Sequence, residues 1–191
     1  MLKIYESKNS EEDKILRKIS EEVPVEEIFS AKIQDKIKEM VDFVKIQPDG
    51  AALSAPQVGI NLRFFIISKH VFASLKKDVS YEDRIFINPR IIKQSKKTEY
   101  MEEGCFSVRW YYGEVKRFKN VTIEAYNLKG EKKVWNTGGF LSQIFQHEID
   151  HLDGILFTDK AKEIKKMTNE EIDKIKDLGK KMVEKIKKDS C

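Results

Sequence analysis

The amino-acid sequence predicts an α+β protein in which a mostly antiparallel sheet surrounds a central helix. Three observations support this fold class. Short apolar runs bounded by turn residues follow one another through the middle of the 191-residue chain, as is typical of antiparallel strands. Apolar residues with helical spacing come before these runs, and a lysine-rich helical pattern follows them, so we expect one helix at each end.

The N-terminal helix is predicted by apolar residues that recur every three or four positions. A proline, an aspartate and a glycine then end the pattern at residues 48–50. The spacing predicts an amphipathic helix whose apolar stripe faces the core and consists of Phe29, Ile33, Ile37, Met40, Val41 and Val44.

The strands are predicted at residues 63–68, 84–89, 121–127 and 132–136, which are rich in Phe, Ile, Val and Thr. A glycine-containing turn, Leu128-Lys129-Gly130, joins the last two strands into a hairpin. These segments indicate a mostly antiparallel sheet.

The central helix is predicted at residues 140–152, after Thr137-Gly138-Gly139 breaks the strand pattern. The last helix begins at Thr168, because Glu171 stands three residues later and completes a capping box. Its apolar positions form one stripe of Ile172, Ile175, Met182 and Ile186.

The composition is that of an ordinary globular protein, with 40% hydrophobic and 36% charged residues. We therefore expect one domain over residues 1–191. The longest apolar run, residues 64–67, is too short to cross a bilayer, and the N-terminal residues do not resemble a signal peptide. These features predict a cytoplasmic protein with no membrane partner. The two cysteines, Cys105 and Cys191, do not suggest a disulfide framework.

The net charge of +4 is too small to predict a DNA-binding protein, but its distribution is uneven. Residues 160–191 contain eleven lysines and seven acidic residues, so this predicted basic helical tail accounts for the whole surplus.

The segment QHEIDH at residues 146–151 is the main candidate for chemistry. His147 and His151 are four residues apart and project from one face of a helix, where both can reach one metal ion. Phe140 and Ile144 precede them on the same face, so the pair continues an inward-facing stripe. Glu148 stands beside the histidines, as a general base does in metal-assisted hydrolysis. The central helix is therefore predicted to bind a metal.

The residues alone leave the third ligand open. A zinc peptidase with this motif would take it from downstream, where Glu170 and Glu171 lie at a plausible distance. Upstream, Cys105 in EGCFS offers a thiolate, although a lone cysteine is more often a small buried apolar residue. A non-catalytic binding module stabilised by metal would need a fourth ligand, and His70 is distant and expected at the surface.

Three stretches together resemble peptide deformylase. They are GAALSAPQ at 50–57, EGCFS at 103–107 and QHEIDH at 146–151, which match the family forms G-x-G-L-A-A-x-Q, E-G-C-L-S and Q-H-E-x-D-H in order. The likeness extends from about residue 15 to residue 157. It implies that Cys105, His147 and His151 bind one divalent metal ion, Fe(II) in the cell, although the same ligands accept zinc, nickel or cobalt.

The reaction implied by the resemblance is removal of the N-formyl group from formyl-methionine at the start of newly made polypeptides, with release of formate. Glu148 is then the general base. The side-chain amide of Gln57 and the backbone N–H of Phe106 donate hydrogen bonds to the oxyanion.

The peptide is expected to lie extended along Ala51, Ala52 and Leu53. The methionine side chain is expected in an apolar pocket formed by Phe140 and Ile144, which Ala51 and Met101 approach. The resemblance also implies that Glu103 and Arg117 form a pair that supports the Cys105 loop.

Several positions depart from the family forms. Ala52 replaces a glycine, Ser54 an alanine, Phe106 a leucine and Arg109 a proline, while the next three residues, 110–112, are aromatic. The aromatic residues either pack within their own loop or reshape the substrate cleft, so their effect on peptide preference and rate stays open.

The lysine-rich tail has two interpretations. Final helices rich in lysine and glutamate are often solvated faces. The alternative, which some bacterial deformylases support by resemblance, is that the tail docks on ribosomal RNA. The lysines concerned are Lys180, Lys181, Lys185, Lys187 and Lys188.

Overall fold

The computed structural model describes residues 2–47, 50–81 and 84–189, and its side-chain description runs to Lys181. These residues form two antiparallel sheets and five α-helices, which confirms the predicted α+β class. The strands in chain order are β1 (Ala52–Ser54), β2 (Phe64–Ile67), β3 (Ile85–Gln94), β4 (Thr98–Gly104), β5 (Tyr111–Phe118), β6 (Asn120–Tyr126), β7 (Lys132–Gly138) and β8 (Ala161–Lys166). The helices are α1 (Ser10–Leu16), α2 (Ala31–Lys45), α3 (Lys69–Ser74), α4 (Gly139–Leu152) and α5 (Asn169–Asp189).

The five-stranded sheet, in the order β1-β2-β3-β6-β7, lies between α2 and α4. Successive side chains on a strand point to opposite faces, and β2 uses both faces. Phe64 and Ile66 pack in the cluster that contains the buried stripe of α2, whereas Phe65 and Ile67 pack in the cluster that contains α4. Because both faces of the sheet are covered at β2, that strand is a continuous apolar run without polar alternation.

Helix α4 is buried over most of its circumference, which is unusual for a helix that carries histidines and carboxylates. Phe145 anchors it, with its ring 4.7 Å from that of Phe86 and 5.6 Å from that of Phe65, both in edge-to-face geometry. Burying one such ring contributes about 1.5–3 kcal/mol to folding. The apolar sheet thus fixes the helix whose polar residues face the site.

The three-stranded sheet has the order β4-β5-β8. At its centre Gly113 lies so close to β8 that a Cβ atom built on it would be 2.3 Å from the carbonyl oxygen of Glu163. Only glycine fits there. The prediction of a helical tail from residue 160 is wrong for its first part. Residues 161–166 form strand β8, and the helix begins only at Asn169.

The predicted helices and hairpin are otherwise confirmed, with small shifts. Strand β7 continues through the predicted break to Gly138. Phe29 precedes α2 and is 61% exposed, so it does not belong to the buried stripe, whose helix starts after the Ser30 cap. The Thr168 capping box is present, with the Thr168 N–H 2.7 Å from the Glu171 carboxylate. Strands β1, β4, β5 and β8 and helices α1 and α3 were not predicted.

Some predicted features lie outside what the structure describes. They are Pro48 and Asp49 at the end of the first helix, and the side chains of Met182 and Ile186 in the last. Within the described ranges, His70 is exposed, as predicted. None of the helices there is both long and apolar enough to cross a membrane.

Candidate metal centre

Cys105, His147 and His151 come together where the end of β4 meets α4. Cys105 follows β4 directly, and both histidines lie on the side of α4 that faces it. The Cys105 Sγ atom is 3.1 Å from His151 Nε2, and one ligand atom from each residue lies within 4.8 Å of the others. Three donors at this separation can bind a single ion.

The charges of these groups suit a cation. Burial opposes ionisation of the Cys105 thiol, but the charge of His151 and hydrogen bonds from both histidines lower its pKa well below the usual thiol value. Burial likewise opposes protonation of His147, yet hydrogen bonds to Cys105 and Glu103 raise its pKa well above its ordinary value. These neighbours therefore favour a thiolate with positive charge beside it. A divalent ion would supply that positive charge, and the sulfur and nitrogen donors suit iron, zinc, nickel or cobalt.

The orientation of His147 is set by Glu103. The Nδ1 atom of His147 is 2.8 Å from Glu103 Oε2, so the Nδ1–H group is donated to the carboxylate and the lone pair of Nε2 remains for a metal. Burial alone would raise the pKa of Glu103, but hydrogen bonds from Arg117 and His147 lower it to about 2. Glu103 is therefore an anion at every pH at which the protein would work.

Arg117 holds this carboxylate with two parallel hydrogen bonds. Its Nε and Nη2 atoms lie 2.7 and 2.8 Å from the two oxygens of Glu103, and its Nη1 atom lies 2.6 Å from Asp150 Oδ2. Lys160 donates to the other oxygen of Asp150 at 2.6 Å. Asp150 was missed in the sequence analysis, although an acidic residue in an otherwise apolar helix segment signals a buried partner.

Gln57 faces the centre from a short 3-10 turn, residues 55–58, that follows β1. Its amide oxygen accepts from the backbone N–H of Ser54 at 2.9 Å and from the Ser54 hydroxyl at 3.1 Å. The amide Nε2 therefore points the other way, and it lies 3.3 Å from both Cys105 Sγ and Ser107 Oγ. Ser54, one of the departures from the family form, thus helps to aim the Gln57 donor at the site.

Glu148 lies beside the ligands and is 4% exposed. Burial raises its pKa to about 7, despite the opposing effect of the neighbouring histidines. Its Oε2 atom is buried and has no hydrogen-bond partner among the described residues. A carboxylate that titrates near neutrality and has an unused oxygen can accept and return a proton.

A cavity of about 260 Å³ opens beside these residues. Of the predicted substrate residues, Ala51, Ala52, Phe140 and Ile144 line it, as do Gln57, Cys105 and Phe106. Leu53 is fully buried in the core on the α2 side of the sheet, and Met101 is half-buried on β4; within the part of the chain that the structure describes, neither lines the cavity. Trp110 and Tyr111 also line the cavity, as the alternative in which the aromatic stretch reshapes the cleft predicts, and Met167 and Ile175 line it without having been predicted.

The downstream acidic residues lie in the first turn of α5 and have other partners. The Glu171 carboxylate accepts from Thr168, and Glu170 pairs with Lys174 at 2.8 Å. In the described ranges, the cluster that could hold a metal contains neither of them and has no fourth ligand. This geometry disfavours both the peptidase ligand set and a closed structural site.

Comparison with known proteins agrees with the geometry. Residues 9–167 match the profile of a family described as polypeptide deformylase. "Peptide deformylase 2" of Clostridium acetobutylicum is 43% identical over 153 residues, which cover 80% of this chain and 92% of that protein. The crystal structure of peptide deformylase from Thermotoga maritima superposes with a TM-score of 0.71 at 31% identity, over 85% of this chain and 99% of the other. A peptide deformylase structure from Plasmodium falciparum superposes with a TM-score of 0.70 at 34% identity, over 97% of each chain.

The ligand set predicts how metal retention responds to substitution. We expect Cys105→Ser to bind the ion at least about a hundredfold more weakly, because the substitution removes a thiolate ligand. This loss is expected to exceed the one caused by removing a residue that only hydrogen-bonds to a ligand. Glu170→Ala and Glu171→Ala are the matched controls and should retain close to one ion per chain. Elemental analysis after dialysis against a weak chelator measures the outcome. Metal lost from either glutamate variant but kept in Cys105→Ser would contradict the assignment.

Proposed function

This chain belongs to the polypeptide deformylase family, and from that premise we propose that Cys105, His147 and His151 hold the divalent ion of its active site. The family removes the N-formyl group from newly made polypeptides, so the reaction is hydrolysis of a formamide with release of formate. The observation that carries the residue assignment is the meeting of three ligand atoms within 4.8 Å of one another, beside a buried carboxylate with an unused oxygen.

The proposed ion is Fe(II), with zinc, nickel or cobalt as alternatives that the same ligands accept. When bound, such an ion would lower the pKa of water to about 7 and would polarise the formyl carbonyl. The protein's own part is to hold the ligands in place. Glu103 orients His147 through the 2.8 Å hydrogen bond to Nδ1, and Arg117 orients Glu103.

Glu148 is proposed to move the proton. Its buried carboxylate takes a proton from the attacking water and then delivers it to the nitrogen of the departing amine. The pKa of about 7 places both protonation states within reach at neutral pH. The apolar surroundings that raise this pKa also keep bulk water away from the carboxylate.

Gln57 and the backbone N–H of Phe106 are proposed to stabilise the oxyanion. The bond from Gln57 Nε2 to Ser107 Oγ is long, at 3.3 Å, and the bond to Cys105 uses sulfur, a weak acceptor, so a substrate oxygen can replace them at small cost. Ser54 fixes the opposite end of the same amide. A donor that is already oriented loses little free energy when the charge develops.

The substrate is proposed to lie in the cavity with its methionine side chain against Phe140 and Ile144, which lie two turns and one turn before His147 on α4, respectively. Phe140 is 47% exposed, a large apolar surface that a bound side chain would cover. Ala51 and Ala52 leave room for the peptide backbone to run beside β1.

The Lys-rich end of α5 is proposed to contact ribosomal RNA. In the described part of this helix, Lys174, Lys176 and Lys180 each pair with an acidic residue on the same helix. Beyond Lys181 the sequence adds Lys185, Lys187 and Lys188 against Glu184 and Asp189, and these side chains lie outside the described residues. Docking would place the enzyme where formylated chains are made, which in a bacterial cell is the cytoplasm.

The role of Glu148 predicts a large loss of turnover without loss of metal. We expect Glu148→Gln to lower kcat for a formyl-methionine peptide by about 10²–10⁴, because an amide cannot accept the proton. The measurement is formate release by protein loaded anaerobically with Fe(II), with the metal content determined on the same sample. Turnover within threefold of the original chain would remove Glu148 from the mechanism.

The Ser54 hydroxyl predicts a smaller, graded effect. Ser54→Ala removes one of two hydrogen bonds to the Gln57 amide oxygen, so kcat should fall about threefold to tenfold, the value of one such bond. Gln57→Ala removes the donor itself and should cost about 3 kcal/mol, or about a hundredfold. Ser20→Ala, at a buried serine whose hydroxyl has no partner among the described residues, is the control and should leave kcat unchanged. Equal kcat in Ser54→Ala and the original chain is the contrary result.

The docking proposal predicts salt-dependent binding to ribosomes. Reversal of Lys185, Lys187 and Lys188 to glutamate should weaken cosedimentation at about 50 mM salt and reduce the steepness with which binding falls towards about 200 mM. Reversal of the exposed Lys18, Lys32 and Lys38 changes the net charge equally and is the control. Docking by the tail is excluded if both triple variants bind alike.

A further inference from the structure

The C-terminal segment contributes part of the cavity wall, a role that neither the motifs nor the proposed metal centre accounts for. Met167, just before α5, and Ile175, in its second turn, line the same cavity as Cys105 and His147. Trp110, from the unusual aromatic stretch after the cysteine motif, lies in the same wall. A helix that the sequence predicts only as a basic tail therefore reaches the site.

Backbone hydrogen bonds fix this segment to the loop that follows the metal centre. Strand β8 pairs with β5, with Lys166 opposite Tyr111 and Lys165 opposite Tyr112. One residue further on, the Met167 N–H donates to the Trp110 carbonyl at 2.8 Å. These backbone hydrogen bonds set the position of α5 relative to the cavity. The side chain of Ile172, in the first turn of α5, is buried.

Trp110 has a conformation that needs this support. Its φ of +69° lies in the left-handed region, which bulky side chains rarely adopt and which strains the backbone. Its ring lies 5.4 Å from the Arg109 guanidinium and 5.7 Å from the Lys176 ammonium on α5. Cation–π contacts with these two groups stabilise the ring in this position. The loop and the helix together hold the indole at the cavity.

The chemistry of this wall differs from that of the centre. Met167, Ile175 and Trp110 are half-buried and present a thioether, an aliphatic chain and an indole. A backbone hydrogen bond joins Met167 to Trp110, five residues after Cys105. Phe140 and Ile144, in contrast, lie on α4 within two turns of His147. The cavity therefore has two apolar regions, one adjoining the ligands and one reached further along the loop.

We propose that Trp110, Met167 and Ile175 form a subsite for an apolar side chain downstream of the formyl-methionine, and that Ile175 sets its size. The proposal rests on the function argued above. An extended peptide whose first side chain lies against Phe140 and Ile144 directs a later residue along the loop towards α5. Natural substrates would then differ in rate according to the apolar character of the residues that follow their first methionine.

The test compares substrates that differ only downstream. With Ile175→Ser, KM for formyl-Met-Leu-Leu should rise about fivefold while kcat stays the same, because the lost contact acts equally on the substrate and the transition state. Formyl-methionine amide, which has no downstream side chain, should show no change. Leu178→Ser, on the same helix but 60% exposed and outside the cavity wall, is the matched control. The same rise in KM for both substrates, or for neither, overturns the proposal.

A larger side chain gives an effect that loss of folding cannot imitate. Ile175→Phe should lower kcat/KM for formyl-Met-Leu-Leu about fivefold by filling the subsite, yet leave formyl-Met-Gly-Gly unaffected. Equal effects on the two peptides would contradict a size-selecting role.

A binding measurement separates this proposal from the proposed function. The chain has two tryptophans, so in a Trp135→Phe background the fluorescence of Trp110 reports peptide binding directly. Titration with the unformylated peptide Met-Leu-Leu should change this fluorescence. The Kd obtained from the titration should be about fivefold higher in Ile175→Ser. If formate is never released but this titration holds, the subsite stands and the function falls. If formate is released but Ile175 variants bind all peptides alike, only the subsite falls.

Discussion

The buried guanidinium of Arg117 joins the two parts of the molecule that carry the proposed metal ligands. It binds Glu103 on β4 and Asp150 on α4, and Glu103 in turn binds His147. An arginine at 3% exposure is strongly destabilising unless carboxylates surround it, so breaking one of these pairs costs about 3–5 kcal/mol. Because Cys105 follows β4 directly, the contacts that satisfy the arginine also set the distance from the sulfur to the imidazoles. The protein thus orders its ligands by its own ion pairs.

This polar arrangement depends on an apolar one behind it. Phe145 locks α4 onto the aromatic face of the five-stranded sheet through Phe65 and Phe86. The sheet in turn rests on α2 through its other face. A helix held this firmly can place the buried Glu148 carboxylate at a fixed position, and burial keeps the pKa of that carboxylate raised.

The parts of the structure that follow from local spacing could be predicted from the sequence. His147, Glu148 and His151 depend only on the turn of one helix, and the β6–β7 hairpin depends on a short turn. Strands β4, β5 and β8 could not be predicted in this way. Their sequences mix charged and aromatic residues, and β8 is so rich in lysine that it resembles the helix after it. They are strands because distant segments supply their hydrogen-bond partners. Ser54 orients Gln57 through a local contact, but this contact depends on the short 3-10 turn at residues 55–58. Ile175 lines the cavity only once β8 has paired with β5.

The pairing of β8 with β5 has a consequence for how the protein folds during its own synthesis. A growing chain folds roughly from its N-terminus as it leaves the ribosome. All three proposed metal ligands are made by residue 151, but the strand that leads to the far wall of the cavity follows only at residues 161–166, and α5 after that. Lys160, which completes the ion pairs around Asp150, also arrives in this last stretch. An unfinished copy could therefore assemble its ligands while one side of its cleft is still missing.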